Sequence, residues 1–230
     1  MKINADFDQR VVVHSEQEEW IKSPMPGVYR RPLDRVGDEV ARATSIVKYA
    51  PGSKFSPHVH TGGEEFIVLD GVFQDEHGDF PVGSYIRNPP QSKHTPGAEE
   101  GCVIFVKLWQ FDPIDRTHVR LNVNYMEPVP HRDHEGVSIT LLYIDDHERV
   151  ELQIWEPNTI VEFDAPRGAE FLVLDGNFSE GDDKLVKHSW MRVPEGARVK
   201  AYTDFEGAKV WIKHGNLQNI VDQIDRVQKS

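Results

Sequence analysis

The chain contains two copies of one sequence unit, and this repeat limits the possible folds more than any other feature. Three pairs of similar segments follow one another in the same order in both halves. The first pair is identical at seven of nine positions, and the second keeps the same offset of 105 residues. In order, the pairs are 65–73 with 170–178, 84–89 with 189–194, and 101–107 with 207–213. Three matches in the same order at a near-constant offset, the third one residue further on, predict a duplicated domain.

The joint between the copies is predicted near residues 111–115 (FDPID). This gives two domains, residues 1–113 and 114–230. Each domain has roughly 100 residues, which is enough for one double-sheet jelly roll.

Short strands bounded by turn residues dominate both copies. Residues 43–49 (ATSIVKY) run into Pro51-Gly52, and residues 65–69 (EFIVL) run into Asp70-Gly71. Such segments with Gly and Pro between them are typical of antiparallel sheets. We therefore predict an all-β fold, with two tandem jelly-roll barrels.

The last segment of the chain is the best helix candidate. Its apolar residues recur at helical spacing, which predicts a short amphipathic helix that packs across a barrel or against a second subunit. The residues of this apolar face are Leu217, Ile220, Val221, Ile224 and Val227. A second subunit on this face would make the protein a homodimer.

Composition excludes several functional classes. With 26 basic and 38 acidic side chains the formal net charge is −12, which is unlike a nucleic-acid-binding protein. No apolar run approaches the length of a membrane span, and the first residues (MKINADFD) do not resemble a secretion signal. The single cysteine, Cys102, excludes an intramolecular disulfide and is predicted to lie in the core. We expect a cytoplasmic protein.

A histidine motif in the first copy predicts a metal site. Five residues separate Gly52 from His58-Val59-His60, and three residues separate His60 from Glu64. Histidines at positions i and i+2 of a strand point to the same side, and Glu64 can return to that side after the bend at Gly62-Gly63. The three side chains are therefore predicted to converge.

A later motif supplies a fourth donor, His94, which follows Gly83 and Pro89. Three imidazoles and one carboxylate suit Zn, Fe, Mn, Ni or Cu. We predict one divalent transition metal held by His58, His60, Glu64 and His94, with zinc as the first candidate and iron, nickel or manganese as alternatives.

These two motifs resemble those of the cupin superfamily. The first motif matches throughout, whereas the second has Gln91 and Ala98 where the superfamily prefers Gly and Asn. The longer phrases at 58–65 (HVHTGGEE) and 78–85 (GDFPVGSY) resemble the ChrR-type cupin family. This resemblance covers residues 20–110 and extends more weakly to the second copy. It implies cupin barrels for both copies.

The resemblance also implies a function. ChrR-type proteins are zinc-binding anti-sigma factors whose cupin domain senses oxidative stress, while a separate N-terminal helical domain binds a sigma factor. That N-terminal domain is expected to be missing, because no cysteine and no long amphipathic helix precede Pro51. A sigma factor therefore remains only one candidate partner.

Two alternatives to a regulator remain open. Similar cupin sites belong to metal-dependent dioxygenases, which suggests an enzyme acting on a diketone-like or polyphenolic small molecule. Phe55 and Phe66 would then make the surrounding pocket apolar. In the other alternative, the metal only stabilises a barrel that binds a small molecule. No catalytic residue beyond the metal ligands is specified by the sequence.

The second copy lacks every proposed ligand. At the offset of 105, all four ligand positions carry apolar residues, namely Phe163, Ala165, Ala169 and Val199. Glu65, in contrast, recurs as Glu170, which favours a shared structural role for Glu65 and leaves Glu64 as the ligand. We predict that the second domain is structural and binds no metal.

For two further features, Lys107 and residues 131–135, the sequence predicts no functional role. Lys107 is predicted to be a surface lysine whose stem covers apolar surface. Residues 131–135 (HRDHE) are predicted to form a solvated turn.

Overall fold

The computed structural model describes residues 1–230 and consists mainly of antiparallel β-strands. No helix in it is both long enough and apolar enough to cross a membrane. The strands of the first half are β1 Lys2–Ile3, β2 Val11–His14, β3 Ile21–Lys22, β4 Val28–Gly37, β5 Ala41–Tyr49, β6 Ser53–Lys54, β7 His58–His60, β8 Glu64–Asp75, β9 Gly78–Pro81, β10 Ser84–Asn88, β11 Ser92–His94, β12 Gly97–Ala98, β13 Cys102–Leu108 and β14 Val119–Asn122.

The second half has eight strands and the only α-helix. The elements are β15 Val129–Pro130, β16 Val137–Ile144, β17 Arg149–Trp155, β18 Ile160–Ala165, β19 Ala169–Glu180, β20 Asp183–Val186, β21 Ser189–Val193, β22 Ala197–His214 and α1 Ile220–Gln228. Single turns of 3-10 helix lie at Ser15–Gln17 and Val123–Tyr125. The predicted β class and the short C-terminal helix are confirmed.

The chain folds into two compact units. Unit 1 consists of residues 1–5, 19–124 and 221–230, and unit 2 consists of residues 6–18 and 125–220. The domains predicted from the repeat, 1–113 and 114–230, are divisions of the sequence and stay predictions. The compact units are divided differently, because strands near the ends of each repeat are exchanged.

Unit 1 contains an 11-stranded sheet and a separate two-stranded sheet. The main strand order is β1-β4-β5-β13-β8-β10-β14, and β7 pairs with β11 in the small sheet. Its buried core includes Val47, Phe66, Ile104 and Val106. Cys102 belongs to this core, as predicted, and burial raises the pKa of its thiol to about 12.

Unit 2 is built on a nine-stranded sheet with the order β15-β16-β17-β22-β19-β21-β2. Strand β2 comes from the N-terminal part of the chain and pairs with β21. Strand β14 takes the corresponding place in unit 1, where it pairs with β10.

Strand register confirms the internal repeat. His94 lies opposite His58 in unit 1, and Val199 lies opposite Phe163 in unit 2, which are the same positions at an offset of 105. Gly71 and Gly176 both have positive φ, and a Cβ at either would come within 2.2 Å of a carbonyl oxygen. Only glycine fits this approach of two backbones, which explains why both copies keep it.

The strand paths of both large sheets are open. One path ends at β1 and β14, and the other ends at β15 and β2. Two closed tandem barrels are therefore not confirmed by the strand pairing.

Helix α1 buries a polar face against unit 1. Gln223 Oε1 accepts a hydrogen bond from Arg42 Nε at 2.8 Å, and Gln223 Nε2 donates to the carbonyl of Gln110 at 3.1 Å. Val227 is buried, but Val221 is 69% exposed, so the predicted apolar face is wrong at Val221. The face is rotated because Gln223, and not Val221, meets the sheet.

Lys107 is also not a surface residue. It is fully buried, and its Nζ donates to Thr44 Oγ1 at 3.0 Å. Gln110 covers the same side of the sheet and donates to Thr44 Oγ1 at 3.1 Å. The surface prediction was wrong because the outer face of β5 and β13 is covered by a later part of the chain.

Candidate metal centre

Three histidines of unit 1 come together from two paired strands. His58 and His60 lie on β7, His94 lies on β11, and their closest ring nitrogens are within 4.8 Å of one another. The Nε2 atoms of His60 and His94 are 2.8 Å apart. His60 and His94 are buried, whereas His58 is exposed at the edge of the group. The two histidines at positions i and i+2 therefore come together on one side of β7, as predicted from the sequence.

Glu64 joins the histidines from the start of β8. Its Oε2 lies 3.4 Å from His60 Nε2 and 3.7 Å from His94 Nε2. Asn88 on the neighbouring strand β10 donates from Nδ2 to the same oxygen at 3.3 Å. All four residues predicted as ligands are thus close together in the structure.

The bend before Glu64 depends on glycine. Gly63 has a φ of +79°, and a Cβ there would lie 2.5 Å from the ring of Phe111. Its N–H donates to the carbonyl of His60 at 3.2 Å, which closes the turn between β7 and β8. The close turn returns the chain so that Glu64 lies beside His60.

Gln91 occupies a glycine-like conformation on the other side of the group. Its φ is +72°, in the left-handed region, and its N–H donates to the carbonyl of His60 at 2.9 Å. This explains why cupins prefer glycine at this position, and why the departure affects the loop and not the ligands.

Hydrogen bonds fix the protonated nitrogen of two histidines. His58 Nδ1 lies 3.1 Å from the carbonyl of Ser56, which can only accept. His94 Nδ1 lies 3.3 Å from Asp75 Oδ2. With Nδ1 as the donor in both rings, Nε2 is the atom of each ring that can coordinate a cation.

Asp75 is the functional residue that sequence analysis missed. Burial raises the pKa of its carboxyl, but the hydrogen bonds from His94 and from the backbone of His77 outweigh burial and hold this pKa below its usual value. An ionised carboxylate behind a ligating imidazole makes that imidazole a stronger ligand. Asp75 lies at the far end of β8, eleven residues after Glu64, and no spacing rule in the sequence indicates it.

Burial and neighbouring charges have opposite effects on the pKa values of the histidines in this site. Burial lowers the pKa of His60, and the neighbouring rings of His94 and His58 lower it further, against the attraction of Glu64. Burial also acts against the charged form of His94, but Asp75 and Glu64 raise its pKa above the usual value. Three imidazoles and one carboxylate at these distances form a donor set that suits a divalent transition metal.

Glu65 points away from the histidines, as the repeat predicts. It accepts a hydrogen bond from the hydroxyl of Tyr85 at 2.5 Å. In unit 2 the equivalent Glu170 accepts from Trp190 Nε1 at 3.1 Å and from Asn216 Nδ2 at 2.6 Å.

A cavity of about 330 Å³ opens beside the histidines. His58, His60 and Glu64 are among the residues that line it. Its remaining wall is mostly apolar and includes Val47, Tyr49, Phe55, Val106 and Leu108, together with Arg30 and Arg35. The prediction that Phe55 lines the pocket is confirmed, but Phe66 is wrong, because it packs in the core on the neighbouring strand.

Unit 2 replaces the four ligand positions by apolar packing. Ala165, Ala169 and Val199 are buried in its core, and Phe163 packs against them. A cavity of about 350 Å³ is present there too, lined by His131, His134, His214 and Glu151. The prediction of a solvated turn is therefore wrong at His131 and His134, which are half-buried in the wall of this cavity.

The strands, the turns and the set of possible metal ligands together define the class of protein. An antiparallel sheet fold that brings His-x-His, a following Glu and a distant His to one place is the cupin arrangement. More particularly, residues 8–112 match the family model of the ChrR cupin-like domain. No match was found among curated proteins.

Several solved structures share the fold at low sequence identity. A proposed dioxygenase from Nostoc punctiforme is 16% identical, with a TM-score of 0.76 over 92% of this chain and 84% of its own. The pirin YhhW from Escherichia coli in complex with nickel(II) is 14% identical, with a TM-score of 0.63 over 90% of this chain and 98% of its own. A variant of oxalate decarboxylase from Bacillus subtilis is 12% identical, with a TM-score of 0.60 over 89% of this chain and 76% of its own.

Proposed function

We propose that unit 1 is a cupin barrel that holds one divalent transition metal through His58, His60, Glu64 and His94. Unit 2 is then a second cupin barrel in which these positions became structural. The support for this assignment is the convergence of four suitable donor groups. In His58 and His94, hydrogen bonds at Nδ1 leave Nε2 as the atom that can coordinate the metal.

The activity that the site supports best is a metal-dependent dioxygenase acting on a small molecule, with dioxygen as the second substrate. One observation carries this proposal: three of the four donors, His58, His60 and Glu64, line a cavity of about 330 Å³. Small-molecule sites are concave and mostly apolar, with a few polar groups that converge on one place. The dioxygenase description of one fold relative agrees with this choice.

The residues of the chain have separate tasks in this activity. When bound, the metal acts as a Lewis acid and brings substrate and dioxygen together. Asp75 and the Ser56 carbonyl hold the imidazoles in orientation, and Asn88 holds Glu64. The side chains of Val47, Phe55 and Leu108 give the cavity wall an apolar surface for the substrate.

Oxygen consumption tests this proposal. Protein reconstituted separately with iron, nickel and manganese is mixed with a panel of 1,3-diketones and polyphenols, and oxygen uptake is recorded. We expect uptake with at least one metal and substrate, and none with His60→Ala. His118→Ala is the control, because His118 is exposed and lies outside the site. Absence of uptake with every metal-loaded sample would rule out the dioxygenase.

A second candidate is a metal-dependent regulator of transcription that responds to oxidative stress. It is favoured by one observation, the match of residues 8–112 to the ChrR cupin-like domain. Here the metal would be zinc, and the partner a sigma factor. Native pull-down should then recover a sigma factor that dissociates when the complex is exposed to singlet oxygen. A pull-down without any sigma factor would contradict this candidate.

A further inference from the structure

We propose that Arg30 binds the carboxylate of the small molecule that enters the unit 1 cavity, so that the ligand is a monocarboxylate with an apolar body. This inference rests on the proposed function, because it assigns the substrate class of the same site. It adds a recognition group at a place that none of the motifs indicates.

Arg30 lies on the face of β4 that lines the cavity. Val28 and Arg30 are two residues apart on this strand and both line the cavity, as strand geometry requires. Arg30 lies opposite Val47 on β5, and Val47 lines the same cavity. The guanidinium is thus held at the cavity wall by two neighbouring strands.

The side chain of Arg30 makes no hydrogen bond or ion pair within the chain, although it is half-buried. Arg35, on the same wall, is already engaged, since it donates to the carbonyls of Gly37 and Asp38. Two buried arginines of unit 1 have carboxylate partners, namely Arg42 with Asp34 at 3.4 Å and Arg87 with Asp115 at 2.6 Å. A half-buried guanidinium without such a partner is available to an anion from outside.

The cavity of unit 2 shows the contrasting case. There Glu151 is bound by Arg149 at 2.6 Å and by Gln153 at 2.6 Å, and His214 lies 3.3 Å away. The carboxylate of Glu151 therefore has cationic and polar partners within the chain. In unit 1 the guanidinium of Arg30 has no such partner and can bind a ligand.

A carboxylate fits this position better than a more highly charged anion. The planar guanidinium pairs with the two oxygens of a carboxylate through parallel hydrogen bonds. Glu39 lines the same cavity and would repel the second negative charge of a dianion such as a phosphate monoester. Tyr49, Val106 and Leu108 give the rest of the ligand an apolar surface. Together these groups specify one negative charge at one end of an apolar molecule.

Calorimetric titration of the metal-loaded protein tests the inference with three probes. These are 3-phenylpropionate, its neutral amide, and phenyl phosphate. We expect 3-phenylpropionate to bind at least tenfold more tightly than either of the others. Arg30→Gln should weaken its binding about tenfold or more, since a charged hydrogen bond is lost. Arg30→Lys should retain part of the affinity, and Arg120→Gln, an exposed control on β14, should retain all of it.

The metal content of each sample is measured alongside, and this separates the two proposals. Arg30→Gln is expected to keep the full metal content, so that a loss of binding reports on the carboxylate alone. Equal affinity for acid and amide, unchanged affinity in Arg30→Gln, or no binding of 3-phenylpropionate at millimolar concentration would overturn the role of Arg30. Wild-type protein that cannot be loaded with metal would instead overturn the proposed function, and carboxylate preference would then be read on the metal-free protein.

Discussion

Gly63 and Gly52 both belong to the first histidine motif, but the structure gives them different constraints. Both have positive φ, yet a Cβ at Gly52 would meet nothing within 4 Å, whereas one at Gly63 would lie 2.5 Å from the Phe111 ring. The two alanine variants therefore share the backbone strain and differ in the steric contact.

We expect Gly52→Ala to lower the free energy of unfolding by about 1 kcal/mol, through the left-handed backbone alone. Gly63→Ala should lower it by about 3 kcal/mol, because overpacking is added to the strain. Urea denaturation of the two variants measures the difference. Equal losses would show that Phe111 does not constrain this turn.

Asp75 orients His94, and its removal should weaken metal binding without removing a ligand. We expect Asp75→Asn to lower the metal affinity by about 10- to 100-fold, as changes behind a ligating histidine commonly do. Competition with a chelator of known affinity measures this loss. Asp70→Asn is the matched control, because Asp70 is exposed on the same strand. An unchanged affinity in Asp75→Asn would mean that the hydrogen bond to His94 has no influence on the metal.

The four proposed metal ligands could be predicted from the sequence, whereas the residues that orient them or line the cavity could not. His58, His60, Glu64 and His94 could be predicted because strand geometry and turn glycines relate them over short spacings. Asp75 could not, because its approach to His94 depends on the pairing of distant strands and not on a local pattern. Arg30 was missed for the same reason, since only the pairing of β4 with β5 places it in the cavity wall.

Helix α1 is held to unit 1 by polar contacts, which a hydrophobic pattern does not reveal. Gln223 is 4% exposed and bonds to both Arg42 and Gln110. We expect Gln223→Ala to lower the free energy of unfolding by about 2 kcal/mol, because buried polar groups lose their partner. Val221→Ala should change it by less than about 0.5 kcal/mol, since Val221 is exposed. Equal effects in chemical denaturation would contradict this docking of the helix.

An ion pair between Asp115 and Arg87 fixes the connection after β13 to β10. Because Asp115 titrates, we expect the stability of the fold to depend on pH. Burial raises the pKa of Asp115, but the hydrogen bonds from Arg87 and the backbone of Thr117 outweigh it and hold this pKa below its usual value. A lowered folded-state pKa stabilises the fold above the unfolded-state value of about 4, and this stabilisation is lost as the pH falls through the folded-state pKa.

Asp115→Asn is therefore expected to lower the free energy of unfolding by about 2 kcal/mol at neutral pH. The difference from the wild type should shrink below about pH 4. Denaturation curves across this pH range measure it, with Asp112→Asn as a control in the same connection. A difference that is constant with pH would mean that the Arg87 pair does not titrate as described.

The β class could be predicted from local patterns, whereas the place of single elements in the sheets could not. Turn residues and alternating strands indicate the fold class locally. Nothing local shows that β2 joins the sheet of unit 2, or that the outer face of β13 is covered so that Lys107 is buried. Both depend on where distant segments pack.

Metal binding by one of two related units should couple to the stability of the whole protein. A cation that binds only the folded state stabilises it by mass action, by about 2.7 kcal/mol at a free concentration of 100 times Kd. We expect a chelator to lower the melting temperature of the wild type by about 5 °C or more. The chelator should leave the melting temperature of His60→Ala unchanged. A wild-type melting curve that does not respond to the chelator would argue against coupling between the site and the fold.

The most direct test of the metal site is the metal content per chain, measured by elemental analysis after reconstitution and desalting. It shows whether four side chains of unit 1 hold one cation. The expected result is one equivalent of a divalent transition metal in the wild type and in His131→Ala, a variant in the cavity of unit 2. Single substitutions His58→Ala, His60→Ala, Glu64→Gln and His94→Ala should each lower this content. Wild-type protein without metal, or metal content that these four substitutions leave unchanged, would contradict the account.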